Sequence, residues 1–545
     1  MDFLQTAPQL VHPYRNDRTL LALLDRVLPT ERRAALDTDL DALGDYARFA
    51  WERARRSTPR TPQLTRWDAW GGRADRIELT EAWREGAELT TRHAILAAGH
   101  EPHVHARLEQ FVRVYLYHLA SEFYTCPLAM TDGAIAALKA SGNQALIDRA
   151  LPHFLSRDPA SFWLSGQWMT ETAGGSDVGR TGTVARQDED GQWRLYGRKW
   201  FSSAVVGEVA LALARPEDAV EGTAALALFY VETMEGAARK PGLVIDRLKD
   251  KLGTRELPTA EIHLDGLRAW PLGELAHGVR QVAPMLNVTR TWNAVCAVAS
   301  MARALALACD YAARREAFGR PLVEQPLHAQ TLADMRAEFE GAFALAFEVV
   351  QLLGRVEQGQ AAPHDAALLR LLTPLAKLWT GKLAVALCSE ALECFGGAGY
   401  IEDTGLPQLL RDAQVYAIWE GTTNVLALDS LRALGEGIEA LGTTIGGWVD
   451  GSHEPEAVAP IQATFDAAVR QVQALGAQRT ELEASARGLA ITLARCAAAA
   501  LLARHSTFAR ERGDMRPGAA LRRFVAHGLD RCITPDTADT QLLLW

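Results

Sequence analysis

Cysteine is scarce in this chain of 545 residues, and it is never paired. The seven present, Cys126, Cys296, Cys309, Cys388, Cys394, Cys496 and Cys532, are scattered, mostly in apolar runs, with no C-x-x-C among them. That usage argues against a disulfide framework or a cysteine-based zinc site and fits reduced thiols in a reducing compartment. An excess of positive charge is lacking too: 57 Lys and Arg stand against 67 Asp and Glu, a net charge of −10 with a pI near 5.8. A nucleic-acid partner therefore has no global electrostatic basis and would need a local patch. The opening MDFLQTAPQLVHPYRND has no basic segment followed by an apolar one, so it does not read as a secretory signal. No apolar run reaches membrane-spanning length, since the richest, Ala490 to Ala503, is broken by Arg495. A cytoplasmic protein without a membrane span is expected. Neither a G-x-G-x-x-G nor a Walker loop occurs, so no nicotinamide or nucleoside triphosphate follows from a glycine motif. His93, His100, His103 and His105 lack the H-E-x-x-H arrangement, and no metal is expected from them.

What is present is an ordinary globular composition, 48% hydrophobic and 23% charged, long enough for three or four cores or layers. Residues 1–160 repeat apolar residues at three- and four-residue steps, as in Arg18 to Val27, Leu40 to Arg53 and Arg107 to Tyr124, which predicts an all-α opening domain. Between 161 and 275 the period changes. Thr181 to Tyr196 reads as a hairpin about Asp190-Gly191, and Val209 to Ala214, Ala225 to Val231 and Ala260 to Leu264 read as strands, the last alternating Ala260, Ile262 and Leu264 with Glu261, His263 and Asp265. From 276 to 440 helices return. Val288, Trp292, Val295, Val298, Ala302, Leu305 and Cys309 make one apolar stripe ending at Arg314-Arg315 before Phe318-Gly319-Arg320-Pro321, and helices over about 330–357 and 366–392 complete an antiparallel bundle. Residues 441–545 form a further helical region, with helices expected at Ala459 to Leu475, Thr480 to Arg504 and Gly518 to His527.

Three stretches carry candidate chemistry. In Gln167 to Val178, Thr170, Gly174, Gly175 and Ser176 make a loop whose backbone and hydroxyls can approach a ligand, although a plain glycine turn has the same composition. Trp200 and Ser202 stand two apart, on one face if they lie in a strand, where an indole and a hydroxyl can wall a ring system or simply belong to the core. In Leu392 to Leu428, the run Ile418-Trp419-Glu420-Gly421-Thr422-Thr423 sets a carboxylate among apolar neighbours ahead of Gly and two hydroxyls. Partial desolvation there would make Glu420 a better base, while a first-turn helix residue is the structural alternative. A local basic cluster, Arg504, Arg510, Arg512, Arg516, Arg522 and Arg523, faces only Glu511 and Asp514 nearby in sequence. It is a possible DNA contact or, more simply, a solvated helix face or subunit contact.

Taken together and in order, M-T-E-x-x-G-G-S-D-V, K-W-F-S, R-R-E-A-F-G-R-P, F-G-G-x-G-Y, R-D-A and I-W-E-G-T-T resemble the acyl-CoA dehydrogenase family over about residues 160 to 430. W-E-G, L-K-D-K-L-G-T-R and the long C-terminus look like its AidB-like branch, associated with the bacterial alkylation response. The resemblance implies an α+β, mostly α fold: an N-terminal helical domain, a central β-barrel-like domain, a C-terminal four-helix bundle and an extra helical region. It also implies FAD, a homotetramer built as a dimer of dimers, and an acyl-CoA substrate in fatty acid metabolism. Met169, Thr170, Ser176, Trp200 and Ser202 match flavin contacts, with Ser202 replacing the more usual Thr. Arg315 and Phe318 match residues reaching the FAD of a neighbouring subunit, as do Glu393, Gly396 and Gly397 at its adenosine end, Glu393 replacing a common Gln. Thr422 and Asn424 match pyrophosphate and adenosine contacts, Asn424 standing where Gln is commoner. Glu420 matches the base that removes the pro-R α proton while hydride passes from the β carbon to flavin N5. In the family the thioester carbonyl is polarised by the flavin ribityl hydroxyl and by the base's own N–H. Glu at this position, not Asp, argues against nitroalkane oxidation. Thr289 and Arg290 match residues near CoA, and Arg290 suits a phosphate, Glu420 or another buried carboxylate. An AidB-like protein of weak dehydrogenase activity, binding DNA or sequestering acyl chains, is the alternative.

Overall fold

In the computed structural model, which describes residues 5–56, 61–236, 238–533 and 536–544, the chain divides into two compact units. One, the barrel unit, is Arg56–Glu101 with Tyr117–Trp292; the other, the helical unit, is Met1–Arg55, Pro102–Leu116 and Asn293–Trp545.

The barrel unit is organised by a seven-stranded sheet. Strand Thr259–Pro271 pairs antiparallel with Trp193–Ser203, which pairs with Val184–Gln187; that strand runs parallel to Val209–Pro216, which pairs with Ala227–Glu232. The circuit closes where Trp270 and Pro271 meet Tyr230 and Phe229, so five strands form a ring, with Leu243–Leu248 and Ser165–Trp168 added on its flanks. Closure gives each of the five ring strands a neighbour on both sides. The expected alternation holds: Ala260, Ile262 and Leu264 are wholly buried, Asp265 is exposed, and Glu261 and His263 lie between. Val209 to Ala214 of strand Val209–Pro216 reads instead as an unbroken apolar run because both of its faces are covered. Ala210, Ala212 and Ala214 face the barrel core beside Phe229 and Val231, while Leu211 and Leu213 pack on Ile135, Leu138 and Phe154 from helices Thr125–Ser141 and Gln144–Phe154.

The expectation of an all-α opening over 1–160 needs correcting, because Gln63–Trp67 and Arg73–Glu78 form an antiparallel hairpin. Only Leu64 and Ile77 of this hairpin pack against the barrel core, too few apolar residues to mark it in sequence. Its anchor is Asp75, buried at a positive φ, whose carboxylate accepts from the Ile245 N–H at 3.0 Å and from Arg73 at 2.7 Å. Tertiary contact, and not local propensity, makes these strands.

Helix Gly278–Arg314 begins in the barrel unit and ends in the helical one, the division falling after Trp292. Within the helical unit, Pro326–Glu357, Asp365–Cys394 and Arg479–Arg510 pack together, with Leu434–Val449 and Pro455–Leu475 around them. The C-terminal region is thus built into the bundle. Arg495, 4% exposed, forms a bidentate pair with Glu338 at 2.8 and 3.0 Å, and Arg504 meets buried Glu348 at 2.5 Å. The absence of membrane-length apolar segments also needs correcting. Gly278–Arg314, Asp365–Cys394 and Arg479–Arg510 each hold an 18-residue window apolar and long enough to cross a membrane, but 78–89% of each window is buried inside the protein. A charge such as Arg495 is tolerated there because Glu338 answers it.

Candidate functional site

In the barrel unit, strand Ser165–Trp168 delivers Met169 and Thr170 at the start of the glycine loop. Both are half-buried, while Ser176 is exposed. Gly174 takes φ +120, a conformation that disfavours any side chain, and a Cβ at Gly175 would sit 2.7 Å from the Thr170 hydroxyl. The loop is clamped by Glu171. Its carboxylate accepts from the Gly182 N–H at 2.7 Å, from the Thr183 hydroxyl at 2.6 Å and from Lys199 Nζ at 2.6 Å, and Lys199 also donates to the Leu213 carbonyl at 2.7 Å. Burial by itself would raise the Glu171 carboxyl; the Lys199 ammonium, with the Thr183 and Gly182 donors, holds it below 4.5. One strand therefore carries both the clamp, Lys199, and the two candidates Trp200 and Ser202.

The regular alternation that would put those two on one face is interrupted between them. The register runs Ile262↔Lys199 then Ala260↔Ser202, so Trp200 and Phe201 together oppose the single residue Glu261. A β-bulge of this kind re-aims side chains. Lys249 lies over both rings, its Nζ 3.3 Å from the Trp200 centroid and 4.6 Å from that of Phe201, and it pairs with Glu261 at 2.6 Å. Ser202 is wholly buried and its hydroxyl meets no partner among the described residues. Thr289 and Arg290 are also buried, with Thr289 against Gly133, where a Cβ would come within 3.1 Å of it.

In the helical unit, Glu420 ends the turn that follows Gln414–Ala417 and precedes helix Thr423–Arg432. It is half-buried at φ +57, followed by Gly421 at φ +102, so two successive residues occupy left-handed space. For a residue with a side chain this is a strained state that persists only where the surroundings enforce it. Four contacts do so. Asn293, with its amide oriented to satisfy both partners, accepts from the Trp419 indole N–H at 2.8 Å and donates to the Tyr416 carbonyl at 3.3 Å. The Ser300 and Tyr416 hydroxyls bond at 2.7 Å. Gly381 lets helix Asp365–Cys394 approach so closely that a Cβ would fall 2.7 Å from the Tyr416 oxygen. Lys377, 1% exposed, donates to the Gly421 carbonyl at 2.5 Å. The apolar enclosure expected of Ile418 is not formed, since that side chain is 61% exposed.

Thr422 is the N-cap of helix Thr423–Arg432, but its hydroxyl makes no cap bond, and Asn424 is exposed on the first turn. Such a helix N-terminus offers free N–H groups to an anion. Arg315 leads into the two-residue turn Phe318-Gly319, where Phe318 is 98% exposed at φ +52. Glu393, Gly396 and Gly397 are exposed, and nothing lies within 4 Å of a Cβ built at either glycine. The expected residues thus fall into two sets. Met169, Thr170, Ser176, Trp200, Ser202, Thr289 and Arg290 belong to the barrel unit, and Arg315, Phe318, Glu393, Gly396, Gly397, Glu420, Thr422 and Asn424 to the helical unit. Lys377 and Asn293, which fix the Glu420 turn, were not singled out from sequence. The signal available was a lone Lys in the apolar run Leu375-Ala376-Lys377-Leu378-Trp379.

Two other expectations meet the structure here. His100 bonds Asp132 at 2.9 Å, and His103 contacts Arg32 at 3.1 Å. Among the described residues the one metal-like group is His12, Asp41 and Asp45, and there His12 Nδ1 accepts the Tyr14 and Arg15 N–H groups. The proton must then sit on Nε2, which closes that nitrogen to a metal. Of the basic cluster, Arg504 pairs with Glu348, Arg512 with Glu511, Arg516 with Asp514, Arg522 with Glu454 and Arg523 with Asp334, while Arg510 is exposed. Most of that charge is answered inside the chain.

Three family models match the chain: the AidB N-terminal domain over residues 6–158, the acyl-CoA dehydrogenase middle domain over 166–267 and the acyl-CoA dehydrogenase C-terminal domain over 276–435. Acyl-CoA dehydrogenase family member 11 of Caenorhabditis elegans is 40% identical over 536 residues, 93% of this chain and 86% of that protein. The putative acyl-CoA dehydrogenase AidB of Escherichia coli is 34% identical over 418 residues, 74% of this chain and 75% of that one. Among solved structures, Caenorhabditis elegans ACDH-11 in complex with C11-CoA superposes with a TM-score of 0.94 at 36% identity, covering 99% of this chain and 96% of that one.

Proposed function

This chain belongs to the acyl-CoA dehydrogenase family, with an AidB-type N-terminal domain, and on that premise we propose that it is an FAD-dependent enzyme introducing an α,β double bond into an acyl-CoA thioester. The observation that carries the reading is the enforced left-handed backbone of Glu420, a carboxylate held in a costly conformation by Asn293, Ser300, Gly381 and Lys377. In this reading Glu420 receives the α proton, and its N–H polarises the thioester carbonyl so that charge developing on that oxygen is stabilised. FAD, when bound, would supply the acceptor for the hydride leaving the β carbon, so that the two hydrogens and two electrons lost by the substrate are accounted for.

The residues fit that cofactor. The buried Ser202 hydroxyl lacks a partner among the described residues, the Thr422 cap leaves a helix N-terminus suited to a pyrophosphate, and Gly396 and Gly397 present bare backbone. Met169, Thr170, Ser176 and Trp200 complete the flavin contacts, and Thr289 and Arg290 serve the CoA. Phe318, fully exposed in a strained turn, and Arg315 beside it fit contacts to a neighbouring subunit's FAD in a homotetramer, with Glu393 and Asn424 at the adenosine end. Free cysteines fit a cytoplasmic, reducing location. A medium-length acyl chain is the first candidate substrate, because the ACDH-11 structure holds C11-CoA.

Anaerobic titration of the purified flavoprotein with an acyl-CoA panel that includes undecanoyl-CoA tests the proposal. Flavin bleaching by at least one chain length is expected, and Glu420→Gln is expected to bind the same thioester without bleaching. Binding with no bleaching at any length would replace dehydrogenation by retention of the acyl-CoA, and neither binding nor bleaching would remove the substrate class.

A further inference from the structure

Glu420 is held from both sides of its own backbone. Upstream, Asn293 fixes Trp419 and Tyr416, and Ser300 fixes the Tyr416 ring. Downstream, the hold comes from Lys377, whose ammonium, buried in the middle of helix Asp365–Cys394, reaches the Gly421 carbonyl at 2.5 Å. Thr422, next along the chain, adds no side-chain cap. We propose that Lys377 is the positioning residue for the Glu420 base: by pinning the Gly421 carbonyl it keeps Glu420 in the left-handed conformation and so sets the direction of both its carboxylate and its N–H. The inference rests on the reading of Glu420 as a base.

The physical argument has three steps. A buried ammonium forms a charge-assisted bond to a carbonyl, stronger than a neutral one and costly to lose because the ammonium is away from water. The carbonyl it holds belongs to the peptide joining Gly421 to Thr422, so its orientation is set directly by the backbone angles of Gly421, at φ +102, and restrains Glu420, at φ +57, through that glycine. An apolar residue at 377 would free that peptide to rotate and let Glu420 relax toward the right-handed region it otherwise prefers. Displacement of a reacting group by about 1 Å costs on the order of a hundredfold in rate, so the effect belongs in turnover and not in substrate binding.

Two measurements on the full-length flavoprotein decide it. The first is exchange of the α protons of undecanoyl-CoA with D2O by enzyme whose flavin has been reduced beforehand, so that only the base acts. Lys377→Met is expected to slow exchange, and kcat of the oxidised enzyme, by about 10- to 100-fold with KM nearly unchanged, and Lys377→Arg to restore part of both. A folded Lys377→Met that exchanges at the wild-type rate overturns the proposal. The second is a thermal-stability cycle with Glu420→Gly, which removes the cost of positive φ. Lys377→Met should lower Tm less in that background than in the wild type, or fold only there. An equal loss in both backgrounds, or folding in neither, makes Lys377 a prop of its helix and overturns the proposal as well. Failure of the wild type to exchange, or full exchange by Glu420→Gln, removes the base reading itself, while the stability cycle still reports on Lys377.

Discussion

Replacing Lys199 with Met should uncouple the glycine loop from the strand that bears Trp200 and Ser202. The substitution keeps the stem that packs in the barrel but removes an ammonium that is 1% exposed and bonds Glu171 at 2.6 Å and the Leu213 carbonyl at 2.7 Å. Glu171 is then a buried carboxylate answered only by Gly182 and Thr183, and the Leu213 carbonyl has lost its donor. Removing one partner of a buried pair costs about 3–5 kcal/mol. For a unit of this size that corresponds to a Tm lower by roughly 6–20 °C. Differential scanning calorimetry of wild type, Lys199→Met, Glu171→Gln and the double variant reads it directly. The double variant should be more stable than Lys199→Met, because deleting both charges leaves no unanswered ion. The pH dependence has a definite sign. The native Glu171 carboxyl lies below 4.5, so its contribution is complete above that pH and is lost as pH falls through the native value. Without Lys199 burial raises the carboxyl, and the penalty of the variant should therefore shrink in acid as Glu171 protonates. Under the proposed function FAD retention should weaken in parallel, since Thr170 and Trp200, joined by the Trp200 N–H to Thr170 carbonyl bond at 2.9 Å, sit on the two segments that Lys199 clamps. A Lys199→Met protein within about 1 kcal/mol of wild type, or a double variant no better than the single, would refute the reasoning.

Two further outcomes are expected. Glu340 is pushed up to about 7 by burial, with Asp17 and Asp514 adding to the effect and Arg336 opposing it, so its ionisation costs stability as pH rises from about 4.5 to 7. Glu340→Gln should stabilise the protein at pH 8 by on the order of 1–3 kcal/mol and give no gain below pH 4.5, as urea melts at the two pH values would record. In the turn Gly396–Tyr400, Gly399→Ala would drive a Cβ to 2.1 Å from the Leu392 carbonyl oxygen, whereas nothing lies within 4 Å at Gly397. Gly399→Ala should therefore cost at least about 1–3 kcal/mol and Gly397→Ala within about 0.5 kcal/mol, compared by thermal melts.

The sequence by itself determined the order of the elements and the chemistry placed on them. Helical periodicity located Asp365–Cys394 to within about two residues at each end and Pro326–Glu357 and Arg479–Arg510 with one end short by about four and six, and alternation in Ala260 to Leu264 named the buried face, because hydrophobic burial acts on residues three or four apart in a helix and two apart in a strand. The motif set identified the family, since short peptides in fixed order are visible without coordinates. The tertiary structure decided what depends on contacts between distant residues. It made a hairpin of Gln63–Trp67 and Arg73–Glu78 through Asp75 and Ile245, placed a bulge at Trp200-Phe201 just before Ser202, answered half of the arginine cluster with Glu348, Glu454 and Asp334, and brought Lys377 to the Gly421 carbonyl. A buried charge or a left-handed Glu is stable only with its partner in place, and that partner lies tens or hundreds of residues away where no local pattern reports it.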